Sequence, residues 1–253
     1  MIHKALLLPL GDSAWTVEFG DSIDPALHAR VMGLNSALQA ARDRGELAGI
    51  VDLVPTFRSL TVYYDPLTID GEQLGARLLQ LAETAGSAAS DGRRWLLPVC
   101  CDADLAPDLE RLAEAKRMAP ETVIALLAAT TFRVYMIGFM PGFPYMGGLP
   151  PALAMPRLAS PRKAVPARSL AVTGEMCAVY PWESPGGWNL LGRTPVALFD
   201  AADNAAPALL ESGDRVRWQV VERAEYEHLE QELASGRLTR AHFLVAAEAA
   251  WPA

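Results

Sequence analysis

Two loops rich in glycine and proline hold the residues of this chain whose types are best suited to bind a ligand. One runs through residues 138–148 and the other through 184–193. Proline fixes φ and glycine permits positive φ, so each loop has one specified shape that presents its side chains. The binding residues predicted in the two loops are Phe139, Pro141, Gly142, Tyr145, Ser184, Gly186, Gly187, Trp188, Asn189 and Arg193. The alternative is a pair of tight turns whose aromatic residues belong to the core.

The stretch 132–200 has an excess of basic residues, although the whole chain has a formal charge of −8. Its charged residues are Arg133, Arg157, Arg162, Lys163, Arg168 and Arg193 against Glu175, Glu183 and Asp200. Arginine binds carboxylate or phosphate through two parallel hydrogen bonds, and N–H groups of glycine turns add donors. Arg157, Arg162 and Arg193 are therefore predicted to hold an anionic ligand. The alternative is a solvated basic face with no specific role.

Glu183 is the candidate for general acid or base chemistry, because it lies next to Ser184 and would be near such an anion. The four histidines are scattered and lie toward the ends of the chain, at His3, His28, His228 and His242. This distribution gives little support to a Ser-His or Cys-His catalytic pair.

The three cysteines are predicted to be structural thiols, with redox chemistry as the alternative. They are Cys100, Cys101 and Cys177, and neither a Cys-x-x-Cys pair nor a histidine at ligand spacing accompanies them. We expect no metal site in this chain.

Composition excludes several classes of protein. Hydrophobic residues make up 51% and charged residues 21%, the balance of a globular protein. The acidic charge argues against binding to nucleic acid or an anionic membrane. No run approaches the roughly 20 apolar residues that span a bilayer, and the N-terminus lacks a complete secretory apolar region. We expect a cytoplasmic location.

The pattern of the first 86 residues predicts a small ββαββα domain. Short β-like runs at 5–10 and 14–19 form a hairpin, and Asp24-Pro25 opens a helix that ends near residue 44. Two further β-like runs and a second helix, which begins at Asp70, complete it. The small and polar residues 85–93 are typical of a linker.

A second domain is predicted over 92–222, followed by a helical tail over 223–253. It begins with a strand at Arg94–Cys100, two helices at Pro107–Met118 and Pro120–Ala129, and a strand at Phe132–Ile137. Short β-like runs between rigid turns then predict a β-barrel or sandwich, so the fold class is α+β. The tail is predicted to form helices at 224–233 and 239–250.

Short motifs occur along most of the chain, up to about residue 221. They are Gly11-Asp-Ser-Ala14, Val17-Glu-Phe-Gly20, Arg58-Ser-Leu60, Tyr64-Asp-Pro66, Arg133-Val-Tyr135, Gly138-Phe-Met-Pro-Gly-Phe-Pro-Tyr145, Pro156-Arg157, Pro161-Arg162, Tyr180-Pro-Trp-Glu-Ser-Pro-Gly-Gly-Trp188 and Gly192-Arg-Thr-Pro195. In these motifs the chain resembles the family of the 5-oxoprolinase B subunit, which is also described as Kip-type histidine-kinase inhibitors and as allophanate hydrolase subunit 1. Together these motifs are highly specific.

The resemblance implies an N-terminal α/β domain followed by a cyclophilin-like β-barrel. It also implies a subunit that works with a homologous C subunit and an A subunit to open 5-oxoproline to glutamate with ATP as co-substrate, and that is inactive or nearly so alone. Proline isomerisation does not follow from such a barrel, because fold does not fix function.

Three positions depart from the family pattern. Leu127 stands where a histidine is common, Arg168 where glycine is usual between Ala167 and Ser169, and Met176-Cys177-Ala178 where Gln-Thr-Gly is usual. The last change removes hydrogen-bonding groups from a segment expected to be a ligand-facing loop. Two alternatives to the enzyme subunit therefore stay open: a regulatory protein that inhibits a sensor histidine kinase, and an allophanate hydrolase or urea carboxylase-like subunit.

Overall fold

A computed structural model of the chain describes residues 4–84, 92–246 and 251. The chain divides into two compact units, an N-terminal unit (1–91) and a C-terminal unit (92–253). The predicted linker at 85–93 falls mostly outside the described residues. No helix among the described residues is long and apolar enough to cross a membrane.

The N-terminal unit has the predicted ββαββα order. Its elements are β1 (Leu6–Pro9), β2 (Ala14–Glu18), α1 (Pro25–Asp43), β3 (Ile50–Pro55), β4 (Ser59–Tyr64) and α2 (Gly71–Thr84). The strands form one antiparallel sheet in the order β1-β2-β4-β3.

Helix α1 begins where the sequence predicts it, because Asp24 caps it and Pro25 supplies a helical φ at its first position. The Asp24 Oδ1 accepts hydrogen bonds from the N–H groups of Ala26 and Leu27 at 2.6 and 3.3 Å. The apolar stripe of α1, represented by Leu34 and Leu38, is fully buried against the sheet in the core of this unit.

The C-terminal unit is a mixed α/β structure built largely of short strands. Its helices are α3 (Leu109–Lys116), α4 (Pro120–Ala129) and α5 (Arg223–Ala234), with 3-10 turns at Pro151–Leu153 and Arg240–Phe243. Its strands are β5 (Arg94–Val99), β6 (Phe132–Ile137), β7 (Pro144–Gly147), β8 (Arg162–Val165), β9 (Ser169–Thr173), β10 (Met176–Val179), β11 (Ser184–Gly186), β12 (Asn189–Arg193), β13 (Arg215–Val220) and β14 (Leu244–Val245).

Eight of these strands form one sheet in the order β12-β9-β10-β7-β6-β13-β5-β14, and β8 pairs separately with β11. An isolated bridge joins Cys100, just beyond β5, to Arg193 at the end of β12. The two residues exchange both backbone hydrogen bonds at 2.9 Å. The end strand β12 is therefore tied back to the opposite side of the sheet, and Arg193 is held at the junction.

The structure corrects two predictions of secondary structure. The run Val196–Phe199 forms no strand and contributes only a bridge from Phe199 to Ala208. The second tail helix predicted at 239–250 is instead a 3-10 turn followed by β14, which pairs with β5. The edge of β5 pairs with this segment as a strand. The helix prediction was wrong because helical periodicity in the sequence does not show where a sheet has a free edge. Residues 247–250 lie outside the described residues.

Candidate functional site

Five aromatic residues of the C-terminal unit, Phe139, Phe143, Tyr145, Tyr180 and Trp188, form a contiguous group that we call the aromatic cluster. The ring of Phe143 lies at its centre, with centroid distances of 5.4, 4.9, 5.2 and 6.0 Å to Phe139, Tyr145, Tyr180 and Trp188. The two glycine- and proline-rich loops of the sequence thus meet in space. Phe143, Tyr180 and Trp188 are buried, whereas Tyr145 is half-buried.

The 138–143 turn places Phe139 at the outer edge of the aromatic cluster. The turn is closed by hydrogen bonds from the Phe143 N–H to the Met140 carbonyl and from the Gly138 N–H to the Phe143 carbonyl, both 3.1 Å. Phe139 has a positive φ of 69° and is 67% exposed. A bulky residue in this conformation stores roughly 1–3 kcal/mol of strain, a feature that concentrates at functional sites.

Arg157 brings a positive charge to the aromatic cluster. Its guanidinium carbon lies 5.9 Å from the centroid of the Trp188 ring. Burial raises the pKa of Tyr145 and of Tyr180, and the nearby Arg157 acts on both in the opposite direction. Both phenols therefore remain protonated at neutral pH, and Arg157 supplies the positive charge at this edge of the cluster.

Gly186 is required by the packing of Tyr180. A Cβ added at Gly186 would lie 2.7 Å from the Tyr180 Cζ. We expect Gly186→Ala to displace the Tyr180 ring and to lower the free energy of unfolding by about 1–3 kcal/mol, since overpacking forces side chains off their rotamers. Urea unfolding measures this change.

The control for Gly186→Ala is Gly187→Ala in the same loop, where an added Cβ would meet Pro161 at an ordinary 3.6 Å. Equal stability of the two variants would contradict the packing role of Gly186.

Arg162 is not free to hold a ligand by itself, because it is paired with a buried carboxylate. Its Nη2 donates to the Asp108 Oδ1 at 2.8 Å, and the Asp108 side chain is only 5% exposed. Asp108 also accepts from the Leu190 N–H at 2.7 Å and from the Arg111 Nη2 at 3.3 Å. Asp108 was not predicted from the sequence, where its only local signal is an acidic residue at the start of α3.

Asn189 also serves the fold. Its Nδ2 donates to the carbonyls of Pro156 and Val172, both at 3.0 Å, and its Oδ1 accepts from Arg111. Both donors of the amide and its carbonyl are thus used within the chain, and the residue is fully buried. Asn189 positions the segment that carries Arg157 and holds Arg111 beside Asp108.

A second feature, which we call the small pocket, brings Arg162 and Arg193 together. Its volume is about 160 Å³, and it is lined by Asp104, Leu105, Pro107, Arg162, Ala164, Pro166, Ser169, Leu190 and Arg193. The Arg193 Nε donates to the Ala167 carbonyl at 2.9 Å. The three arginines predicted to hold an anion are therefore divided, with Arg157 at the aromatic cluster and the other two at the small pocket.

The remaining predicted residues lie apart from the small pocket. Glu183 is exposed and does not line it, and Pro141 is exposed at the 138–143 turn. Gly142 is buried with a φ of 74°, which suits glycine. The Ser184 Oγ is buried and makes no hydrogen bond to the described residues.

The chain matches a family model described as "Carboxyltransferase domain, subdomain C and D" over residues 5–210. It is also 35% identical over 237 residues to the 5-oxoprolinase B subunit of Bacillus subtilis (strain 168), covering 88% of this chain and 95% of the relative. The chain belongs to this carboxyltransferase family.

Solved structures support the family assignment. The crystal structure of TTHA0988 has a TM-score of 0.72 and 36% identity over 83% of this chain, and this chain spans only 40% of that longer protein. The urea carboxylase of Kluyveromyces lactis has a TM-score of 0.72 at 19% identity, over 92% of this chain and 23% of that one, a likeness that concerns the fold alone.

One departure from the pattern of the carboxyltransferase family has a structural explanation. Arg168, where the resemblance led us to expect glycine, has a φ of 66°, a backbone conformation that favours glycine. Its guanidinium donates to the Pro195 carbonyl at 2.9 Å and to the Glu230 Oε1 of α5 at 2.6 Å. In this chain the side chain thus ties the β8–β9 turn to α5.

The other residues that depart from the family pattern pack against their neighbours in the C-terminal unit. Leu127 is 1% exposed in the main core of the C-terminal unit. Residues 176–178 belong to strand β10, so the expectation of a ligand-facing loop was wrong. Strand alternation places Cys177 in the main core and packs Met176 and Ala178 with the aromatic cluster.

Burial keeps the Cys177 thiol protonated. Cys177 is 0% exposed, and burial raises its pKa above the ordinary value of about 8.5. The thiol ionises in the unfolded chain first, so its contribution to stability is present at neutral pH and is lost as pH rises above about 8.5. We expect the stability difference between the wild type and Cys177→Ala to shrink by about 1.4 kcal/mol per pH unit there.

Urea unfolding at three pH values, about 7.5, 9 and 10, on both sides of the ordinary thiol pKa, tests this expectation for Cys177. A stability difference that is constant across this pH range would contradict it.

Among the described residues no group of three or more histidine, cysteine, aspartate or glutamate side chains is placed to hold a metal ion.

Proposed function

We propose that this chain is the B-type subunit of an ATP-dependent 5-oxoprolinase, which opens the lactam of 5-oxoproline to give glutamate. The observation that carries the proposal is the identity to relatives named as B subunits of 5-oxoprolinase, which extends over nearly their whole length. Arg157 at the aromatic cluster and the two arginines of the small pocket support the proposal. The substrate is a small carboxylate, and guanidinium groups bind carboxylates.

We further propose that the chain works within an assembly. The word "subunit" in the relatives' names supports a complex, and we propose a homologous C subunit and an A subunit as partners, with ATP as co-substrate of the complex. Little activity is expected from this chain alone, and a cytoplasmic location is proposed. We also propose that the C-terminal unit is the cyclophilin-like barrel, with the Cys100–Arg193 bridge as its closure.

Proton transfer by Glu183 is proposed only for the assembled complex. Its carboxylate is exposed and lies outside the small pocket, so it needs a partner surface to exclude water around it. Arg157 and Arg193 are proposed to bind anions, while Arg162 lines the small pocket and is paired with Asp108.

A regulatory role, as an inhibitor of a sensor histidine kinase, is the second candidate. The exposed Phe139 in a strained conformation favours it, together with Trp182, which is 46% exposed. Exposed aromatic side chains are enriched at protein interfaces. The allophanate hydrolase or urea carboxylase-like alternative would require a biotin-bearing partner.

ATP-dependent glutamate release from 5-oxoproline, measured with the chain and its native partners, tests the proposal. We expect activity to require this chain and to fall about 10- to 100-fold in Arg193→Ala, because a charged hydrogen bond to the substrate is lost. Arg237→Ala is the matched control, since its guanidinium pairs with Glu232 at the surface.

An intact complex without turnover would overturn the oxoprolinase proposal. Tight binding to a kinase would then favour the regulator, and a dependence on biotin would favour the carboxylase-like subunit.

A further inference from the structure

We propose that the small pocket binds 5-oxoproline at two points, with its carboxylate on Arg193 and its lactam N–H on Asp104. The inference rests on the proposed function and assigns the substrate to one of the two arginine sites. Asp104 was not among the predicted site residues, yet it lines the same pocket as Arg193.

The surroundings of Arg193 hold its backbone and its Nε in place for binding a carboxylate. Its backbone is held by the bridge to Cys100, and its Nε by the Ala167 carbonyl at 2.9 Å. Its two Nη groups make no hydrogen bond to the described residues, and the side chain is half-buried. A guanidinium with one end held loses less freedom when it binds, and the free Nη donors match a carboxylate.

Asp104 supplies the opposite chemistry. Arg223 holds it by an ion pair and also binds Asp102 at 3.0 Å, so the Asp104 carboxylate is tethered although it is 68% exposed. An ionised carboxylate only accepts hydrogen bonds. A carboxylate ligand that also carries an N–H group satisfies both residues, because it accepts from Arg193 and donates to Asp104.

The walls and the size of the small pocket fit a compact ring. Leu105, Pro107 and Leu190 provide apolar surface for ring methylene groups. The volume of about 160 Å³ is well below the roughly 300–1,000 Å³ of pockets for larger ligands, so a nucleotide does not fit. The size of the small pocket therefore selects a compact carboxylate over ATP.

Titration calorimetry with the full-length chain compares 5-oxoproline with 3-oxocyclopentanecarboxylate, which keeps the ring, the carboxylate and the carbonyl but has a methylene group in place of the N–H. The wild type is expected to bind 5-oxoproline about 10-fold more tightly, the value of one hydrogen bond to a charged group. Asp104→Ala should abolish this preference without weakening the binding of 3-oxocyclopentanecarboxylate, whereas Arg193→Ala should weaken both ligands by about 10-fold or more.

Asp21→Ala, an exposed charge change in the other unit, is the control and should alter neither ligand. Absence of 5-oxoproline binding to the wild type, or a preference that survives in Asp104→Ala, overturns the proposal.

Thermal unfolding checks that Arg193→Ala is folded. Arg193→Lys, which keeps the charge, should retain part of the affinity for both ligands. Binding is measured without turnover, so the two proposals can fail separately. If the complex is inactive but the chain binds the ligands as described, the oxoprolinase function is rejected and the binding site in the small pocket is retained.

Discussion

Asp108→Ala is expected to lower the free energy of unfolding by about 2–4 kcal/mol, because it removes the acceptor of a buried backbone N–H and one partner of a partly buried ion pair. The buried Leu190 N–H, which donates to Asp108 at 2.7 Å, is left without a hydrogen bond. The Arg162 guanidinium loses its acceptor at 2.8 Å but is 28% exposed and reaches water, so its loss costs less than that of a fully buried pair.

Urea unfolding of the full chain, followed by tryptophan fluorescence, measures this loss, since five of the six tryptophans lie in the C-terminal unit. Asp108→Asn keeps the volume and one acceptor and should fall between the alanine variant and the wild type. Glu232→Ala removes a surface partner of Arg237 and should change stability by less than about 1 kcal/mol. A loss below about 1 kcal/mol in Asp108→Ala would contradict the role assigned to this carboxylate.

Gly192→Ala has the second large expected effect, because the added methyl group has no room and its obstacle is backbone. The Cβ would lie 2.9 Å from the carbonyl oxygen of Cys100 and 2.7 Å from the Val99 Cγ2. Cys100 bridges Arg193, so relief of this contact has to move the strand that carries Arg193. We expect a loss of about 2–3 kcal/mol in stability and weaker binding at the small pocket.

The matched control for Gly192→Ala is again Gly187→Ala, where the added Cβ makes only ordinary contacts. Both variants are compared by urea unfolding and by titration with 5-oxoproline. If Gly192→Ala is as stable as the wild type, β12 can move away from Cys100 without cost. That result would contradict the proposal that the Cys100–Arg193 bridge closes the sheet.

Local signals in the sequence predicted most of the helices and strands. The cap Asp24, the proline at the first position of α1 and its apolar spacing act within a few residues of one another, so they can be recognised without the fold. The same holds for Pro120 at the start of α4. Strand β14 was missed because its partner β5 lies about 150 residues earlier in the chain, and no local pattern records that pairing.

The sequence by itself determined the family, the ββαββα order of the first unit and the set of arginines and aromatic residues from which a site is built. Only the tertiary structure decided which of them act together. In the fold, Arg162 pairs with Asp108, which lies 54 residues earlier in the chain. Arg157 lies at the aromatic cluster, whereas Arg193 and Asp104 line the small pocket. The physical reason is that caps and periodicity are local, whereas the net charge available at a site depends on partners that only long-range strand pairing brings within hydrogen-bonding distance.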